Sequence, residues 1–243
     1  MKELIFKPIP TIKNILLLLR LHVLLGFLIR PLSFLSNFLA LSRWAAKQPK
    51  NIYKDSFSLV RNYERRYDLY RHVIEQENLR DSEITYIELG VCWGVSFKWW
   101  MQNNENVNSR FYGFDTFEGL PEDWGLFYKS GEMVSSLPEL NDSRGKLFKG
   151  LFQDTLPPFV SENTDLKNKR KVIHLDADLF SSTIFSLAVL YPYLQKGDII
   201  FFDEFNVPDH EFLAYKIFTE SFYVNLTLIG AVNNYYHSAF KVS

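Results

Sequence analysis

A single cysteine, Cys92, among 243 residues rules out an internal disulfide and any thiolate cluster for zinc, and it fits a reducing compartment. An excess of either charge is also missing, since 27 Lys and Arg face 28 Asp and Glu, a formal net charge of -1. The whole chain therefore has no electrostatic preference for nucleic acid, and the basic residues between Arg61 and Arg80 alternate with Glu64, Asp68 and Glu75. Neither a repeat period nor a disordered composition is present, so one catalytic-sized domain with one substantial core is expected. The sequence also lacks the Gly-x-Gly-x-x-Gly turn that cradles a pyrophosphate, which argues against a dinucleotide.

Acids are nearly absent from the first fifty residues. Lys2, Lys7, Lys13, Arg20, Arg30, Arg43, Lys47 and Lys50 face Glu3 alone, while residues 15–41 are crowded with Leu, Ile, Val and Phe. Arg20, His22 and Arg30 interrupt the apolar run before it reaches the roughly 18 to 20 residues of a spanning helix, and Pro31 should break or kink it. A cleaved export signal is disfavoured because the apolar region continues past any short core and no clean small-x-small site follows. Residues 1–49 are therefore read as a basic, hydrophobic arm, best suited to an interfacial helix pair on an anionic leaflet. A contact between copies and a lid on the chain's own domain are the competing readings. Residues 50–243 form the domain proper, placed in the cytoplasm and, through the arm, peripherally on the inner face of the membrane.

Within that domain, residues 56–79 read as an amphipathic helix with Leu59, Tyr63, Tyr67, Tyr70 and Ile74 near one face. Apolar runs follow at 86–89, 111–114, 146–150, 172–175 and 199–202, alternating with helical or loop segments. After a helix over 210–222, the runs 223–229 and 235–242 lie too close for a helical crossover and read as a hairpin. The pattern predicts an α/β, doubly wound, Rossmann-like sheet of seven strands, mostly parallel with a C-terminal antiparallel hairpin and helices on both faces.

The first strand runs into Glu88-x-Gly90-x-x-x-Gly94. Two glycines there permit a tight turn and a bare helix start, where a ligand approaches the main chain closely. An acid in place of a phosphate cradle favours a cationic nucleoside such as S-adenosylmethionine, with Glu88 beside it. The second strand ends at Asp115, the position for a ribose with two free hydroxyls, and Thr116 and Phe117 open the loop beyond it, where the ring would cover a purine face or join the core. Later strands end in Asp176-Ala-Asp178 and Asp203-Glu204. Carboxylates on adjacent strand ends repel one another unless a cation sits between them. Oxygen-only ligation selects Mg²⁺, with Mn²⁺ or Ca²⁺ as alternatives, on Asp176, Asp203 and Glu204. Helix N-capping competes for Asp178 and Asp209. His174, inside an apolar strand, reads as satisfied core, and His210 as a secondary contender for base or substrate contact.

The motifs Glu88-Leu-Gly-Val-Cys-Trp-Gly, Asp115-Thr-Phe-Glu-Gly-Leu-Pro, Gly150-Leu-Phe-Gln-Asp-Thr-Leu-Pro, His174-Leu-Asp-Ala-Asp-Leu-Phe-Ser-Ser-Thr and Phe202-Asp-Glu-Phe together resemble the macrocin O-methyltransferase family over roughly residues 50 to 243. The resemblance implies S-adenosylmethionine at the glycine turn and Asp115, with Phe152 and Asp154 near the adenine, and Mg²⁺ on Asp176 and the later acidic pair. Glu204 stands where that family usually has Asp, and the first fifty residues have no counterpart in its short start. Methyl transfer to a hydroxyl then needs a base, for which Asp178 is the candidate. An alcohol near the water value of about 15.7 and an aspartate near 3.9 differ by about 12 units, or about 16 kcal/mol, so a metal must close most of the gap. The acceptor expected is a vicinal diol, such as a sugar or a glycosylated metabolite. The rival readings are a nucleotide-sugar glycosyltransferase that uses Asp176-Ala-Asp178 for its metal, and a non-catalytic membrane-docked module.

Overall fold

The computed structural model describes residues 8–125 and 127–243, so Lys2, Glu3 and Lys7 of the arm lie outside the described residues. Three helices lead in: α1 (Pro8–Leu18), α2 (His22–Leu25) and, after a short turn over Gly26–Leu28, α3 (Ile29–Ala46). The domain follows as β1 (Tyr53–Lys54), α4 (Arg65–Gln76), β2 (Thr85–Leu89), α5 (Val95–Asn103), β3 (Arg110–Asp115), β4 (Gly145–Lys149), α6 (Phe152–Glu162), β5 (Lys171–Leu175), α7 (Phe180–Leu190), β6 (Ile199–Phe202), α8 (Glu211–Phe222), β7 (Leu226–Val232) and β8 (His237–Val242).

One sheet holds all eight strands in the order β1-β7-β8-β6-β5-β2-β3-β4, with only β8 antiparallel to its neighbours. The seven expected strands and the terminal hairpin are all present. The eighth is β1, which pairs parallel with the outer edge of β7. β2, β5 and β6 are buried on both faces, which is why they read as unbroken apolar runs. Their alternate residues feed two cores. Ile87, Ile173, Ile200 and Phe202 meet α6, α7 and α8, while Tyr86, Val172, Ile199 and Phe201 meet α4 and α5.

The helix expected over 56–79 is shorter at its start. Residues 56–64 are held out of helical form by side-chain bonds: the backbone N–H groups of Ser58 and Asn62 donate to Asn234 Oδ1 and Asn233 Oδ1, and that of Glu64 donates to Asn62 Oδ1. Such local polar bonds compete with the helix ladder. Leu59, assigned to a buried face by the period, is 92% exposed.

The arm is joined to the domain along its last turns. Trp44 of α3 packs among Phe205, Phe212, Tyr215, Tyr235 and Phe240, with ring centroids 4.7 to 6.3 Å away, and its Nε1–H donates to Tyr215 Oη at 3.2 Å. Asn37 Nδ2 donates to Asp209 Oδ1 at 2.7 Å, so Asp209 holds the arm as well as preceding α8. Removing the indole opens a gap in an aromatic cluster, and Trp44→Ala should cost about 3 kcal/mol by chemical denaturation; a loss below about 1 kcal/mol would show that the contact is peripheral.

Candidate active site

Backbone pairing carries the sheet one residue beyond the strands and levels the site. Gly90 N–H donates to Phe114 O, Asp176 N–H to Leu89 O and Asp203 N–H to Leu175 O, each at 2.9 Å. Asp115, Gly90, Asp176 and Asp203 thereby line one edge, where α/β sheets open ligand crevices. A cavity of about 440 Å³ lies there, walled by Gly90, Asp115, Thr116, Phe152, Asp176, Asp178 and Asp203 among others. That is within the usual size for a small-ligand site.

Gly90 has φ +97°, and a Cβ on it would fall 1.8 Å from the Asp176 carbonyl oxygen. Strand ends can approach this closely only with no side chain between them. Asp115 fastens the turn from the next strand: Oδ2 accepts from the N–H groups of Val91 and Cys92 at 2.8 and 2.7 Å, and Oδ1 accepts from Phe117 N–H at 2.7 Å. A carboxylate offers about four lone-pair sites, so roughly one remains for a ligand hydroxyl. Thr116 lines the cavity while its hydroxyl donates to Gly119 O.

Three of the expected cofactor residues, Glu88, Phe117 and Asp154, lie off the cavity. Glu88 is fully buried beneath the turn, accepting from Tyr86 Oη–H at 2.6 Å and Ser96 Oγ–H at 2.5 Å, so it braces β2 against α5 instead of facing a ligand. Gly94 caps α5 with φ +72° between Trp93 and Val95, which both line the cavity, and a Cβ on it would fall 2.9 Å from Pro138 Cγ. Phe117 is buried in the core at φ 55°, because its N–H turns inward to Asp115. Asp154 is exposed on the first turn of α6, and Gln153 is the residue that joins Phe152 at the cavity. His210 lies off the cavity too, its Nδ1 accepting from Phe180 N–H at 3.2 Å and its pKa lowered by burial.

The carboxylates gather as the strand ends predict. Ligand atoms of His174, Asp176 and Asp203 lie within 4.8 Å of one another, the one such group found among the described residues. Burial alone would raise Asp203, but His237 and His174 hold it well below the usual carboxylate range; His237 Nδ1 donates to its Oδ1 at 2.9 Å. Asp176 is pushed well above that range by burial and then by Asp203. Burial pulls His174 down, yet Asp203 and Glu88 outweigh it and carry the ring to about 10. Its Nδ1 donates to Tyr86 Oη at 3.0 Å and its Nε2 faces Tyr70 Oη and Asp203, so both ring nitrogens have partners in the buried network. Asp176 and Asp203 are oxygen donors under mutual repulsion, which fits a hard divalent cation.

Glu204 differs from its expected place as a third ligand. It is buried off the cavity wall, where its Oε1 accepts from Tyr236 Oη–H and its Oε2 has no hydrogen-bond partner. Burial and then the Asp178 carboxylate push it up to about 12. Asp178 is raised as well, chiefly by burial. Glu211, fully buried, accepts from Glu204 N–H at 2.9 Å, and its other oxygen has no partner. Arg66 also lines the cavity, and its buried Nε–H is unpartnered. Neither Arg66 nor His237 carries a local sequence signal: one sits on a charged helix face, the other in an apolar hairpin strand.

The sequence model of the macrocin O-methyltransferase family matches residues 132–232. That segment holds Asp154, Asp176, Asp178, Asp203 and Glu204, while the motifs at Glu88 and Asp115 precede it. Among solved structures, CalS11, a calicheamicin methyltransferase, is similar with a TM-score of 0.58 at 20% identity, covering 85% of this chain and 91% of that one. The O-methyltransferase NovP is similar with a TM-score of 0.53 at 18% identity, covering 73% of this chain and 79% of that one. No match to a curated protein was found. The fold is that of the Rossmann-like methyltransferases. Residues 132–232 resemble the macrocin O-methyltransferases in particular, and the sheet shares its fold with the two methyltransferases.

Two outcomes test this geometry. Gly197 has φ +95° but open space around its α-carbon, so Gly197→Ala should cost only the left-handed penalty of about 1 to 2 kcal/mol. Gly90→Ala adds the collision with Asp176 and should cost clearly more in the same calorimetric scan; equal losses would remove the close approach. The second concerns pH. Glu204 keeps its proton in the folded chain up to about 12, whereas an unfolded glutamate releases it near its ordinary value, so its contribution to stability falls as pH rises across that interval. Glu204→Gln keeps the hydrogen bonds without the charge. In chelator its stability relative to the native chain should therefore grow by on the order of 1 kcal/mol per pH unit between about pH 5 and about pH 9; a constant difference would place the proton elsewhere.

Proposed function

We propose that this protein transfers a methyl group from S-adenosylmethionine to a hydroxyl of a sugar-like or other vicinal-diol acceptor, with a divalent cation, most simply Mg²⁺, at the acidic cluster. The observation that carries the reading is the convergence of Asp176 and Asp203 in the same cavity that the Gly90 turn opens. The bare turn at Gly90 accepts the cofactor's backbone-facing side. Asp115 and Thr116 stand where its ribose would be held, and Phe152 with Gln153 where its adenine would lie. The carboxylates favour a sulfonium over an anionic ligand by simple charge complementarity. Asp176 and Asp203 would hold the cation, which when bound supplies Lewis acidity to an acceptor oxygen.

Asp178 is assigned the proton. It lines the cavity beside the buried Glu204 carboxyl, and burial raises the proton affinity of both. The raised affinity of Asp178 narrows the gap to an alcohol by 1.36 kcal/mol for each unit. Tyr236 and Glu211 keep Glu204 in place. Arg66 and Tyr63 form the wall near Asp203, on the side left for the acceptor. The same reading puts the enzyme in the cytoplasm, with its arm resting on the inner face of a membrane.

Asp178→Asn should retain S-adenosylmethionine binding by calorimetry yet lose turnover by about two orders of magnitude or more. Near-normal turnover would remove Asp178 as the base. Full activity of the native chain in excess chelator would remove the cation.

A further inference from the structure

The arm leaves an apolar surface uncovered. Leu18, Leu24 and Phe27 are 81%, 73% and 75% exposed, and residues 11–50 carry six basic side chains with no acid. An apolar, purely basic helical surface matches an anionic bilayer in both respects, whereas a second copy would bring the same positive charge against it. By length and composition the stretch His22–Ala46 is long enough to cross a membrane. Its last part is committed elsewhere, since Asn37, Leu41 and Trp44 are fixed on the domain. That leaves residues 22–36, about 22 Å of helix, against the roughly 30 Å of a hydrocarbon core. The left-handed turn at Arg20, φ 46°, separates α1 as a second short piece. Two short helices joined by a turn lie along a bilayer and do not traverse it.

The loop that walls the cavity adjoins the arm. Asp209, which receives Asn37 of the arm, is followed by His210, whose ring meets Trp124 edge-on at 6.5 Å. Trp124 belongs to the loop whose Gly119, Leu120, Pro121 and Met133 wall the cavity. Lys129 pairs with Asp123 of this loop at 2.8 Å, and Arg30 of the arm is close enough to add to the pull on that carboxyl. The mouth itself is apolar, for Trp93, Val95, Met133 and Leu151 line the cavity and yet are 58%, 56%, 41% and 40% exposed. Phe127 and Val134 extend the exposed apolar patch along the loop. A soluble sugar would leave such a rim wet, and monomeric proteins seldom expose apolar surface around a polar site without a use for it.

We propose that the arm and the cavity rim form one face that rests on an anionic bilayer, from which the enzyme draws a hydroxylated head group carried on a lipid. The seating stands on the surface alone; the acceptor class rests on the methyl-transfer reading of the cavity. The test mixes the full chain with vesicles of phosphatidylcholine and phosphatidylglycerol, or of phosphatidylcholine alone, and floats them on a density gradient. The chain should rise with the anionic vesicles and less so in high salt. Leu18→Glu/Leu24→Glu/Phe27→Glu, altered only at exposed positions, should lose at least about a hundredfold in partitioning while keeping the native melting temperature and S-adenosylmethionine affinity. A native chain that stays in the aqueous layer, or one that sediments as a dimer which the triple variant dissolves, overturns the seating. In parallel, methyl-labelled cofactor is incubated with the chain and with membranes. Label should enter the organic-solvent-soluble fraction, and label confined to water-soluble products overturns the lipid-borne acceptor. Flotation without any cofactor binding leaves the seating intact and removes the enzymatic reading, so the two failures are separable.

Discussion

An ionised aspartate in the interior governs this site. Asp203 is 6% exposed, yet two histidines keep its charge, and that charge is then felt by Asp176, Asp178 and Glu211. Asp176 and Glu211 are raised with Asp203 among the causes, as is the Tyr70 phenol. A buried negative charge is tolerable only with a fixed partner, and the partners here come from distant parts of the chain, β5 and β8. Bringing the antiparallel β8 beside β6 is what delivers His237 to Asp203. The carboxy-terminal hairpin is therefore part of the electrostatic machinery as well as a sheet edge.

The acids sort into two groups by what faces them. Asp176 and Asp203 point into the cavity and have oxygen to spare for a ligand. Glu204 and Glu211 lie behind, both raised chiefly by burial, and Glu211 accepts from the Glu204 N–H as Glu204 accepts from Tyr236. Asp178 stands between the groups, at φ 59°, a backbone conformation that a non-glycine residue adopts only when its surroundings enforce it.

The sequence revealed most about what is local or periodic. The fully buried strands β2, β5 and β6 announce themselves as apolar runs, and the acids at their ends follow by counting. The loop at 56–64 escaped because its conformation is set by bonds to Asn233 and Asn234, about 170 residues away in the chain. β1 escaped because two residues carry no period. In the site, Asp115, Asp176 and Asp203 were legible from strand ends, but the direction of each side chain was not. Glu88 and Glu204 occur in the right motifs and turn inward, and Phe117 does so because its own N–H is claimed by Asp115. His237 and Arg66 reach the site only through tertiary pairing, for which a single sequence offers no sign.

The two-residue strand at Tyr53–Lys54 has a further consequence. β7 would otherwise present its open ladder at the rim of the sheet, and such unpaired rims recruit strands from neighbouring molecules. Tyr53 and Lys54 pair opposite Gly230 and Ala231, and the next residue, Asp55, takes the Asn233 N–H at 3.0 Å and pins Arg65, so the chain is clamped down just where β7 ends. The first strand of the domain thus doubles as a guard rail against strand-to-strand polymerisation, and the arm cannot be shed by cutting beyond residue 54 without baring that rim.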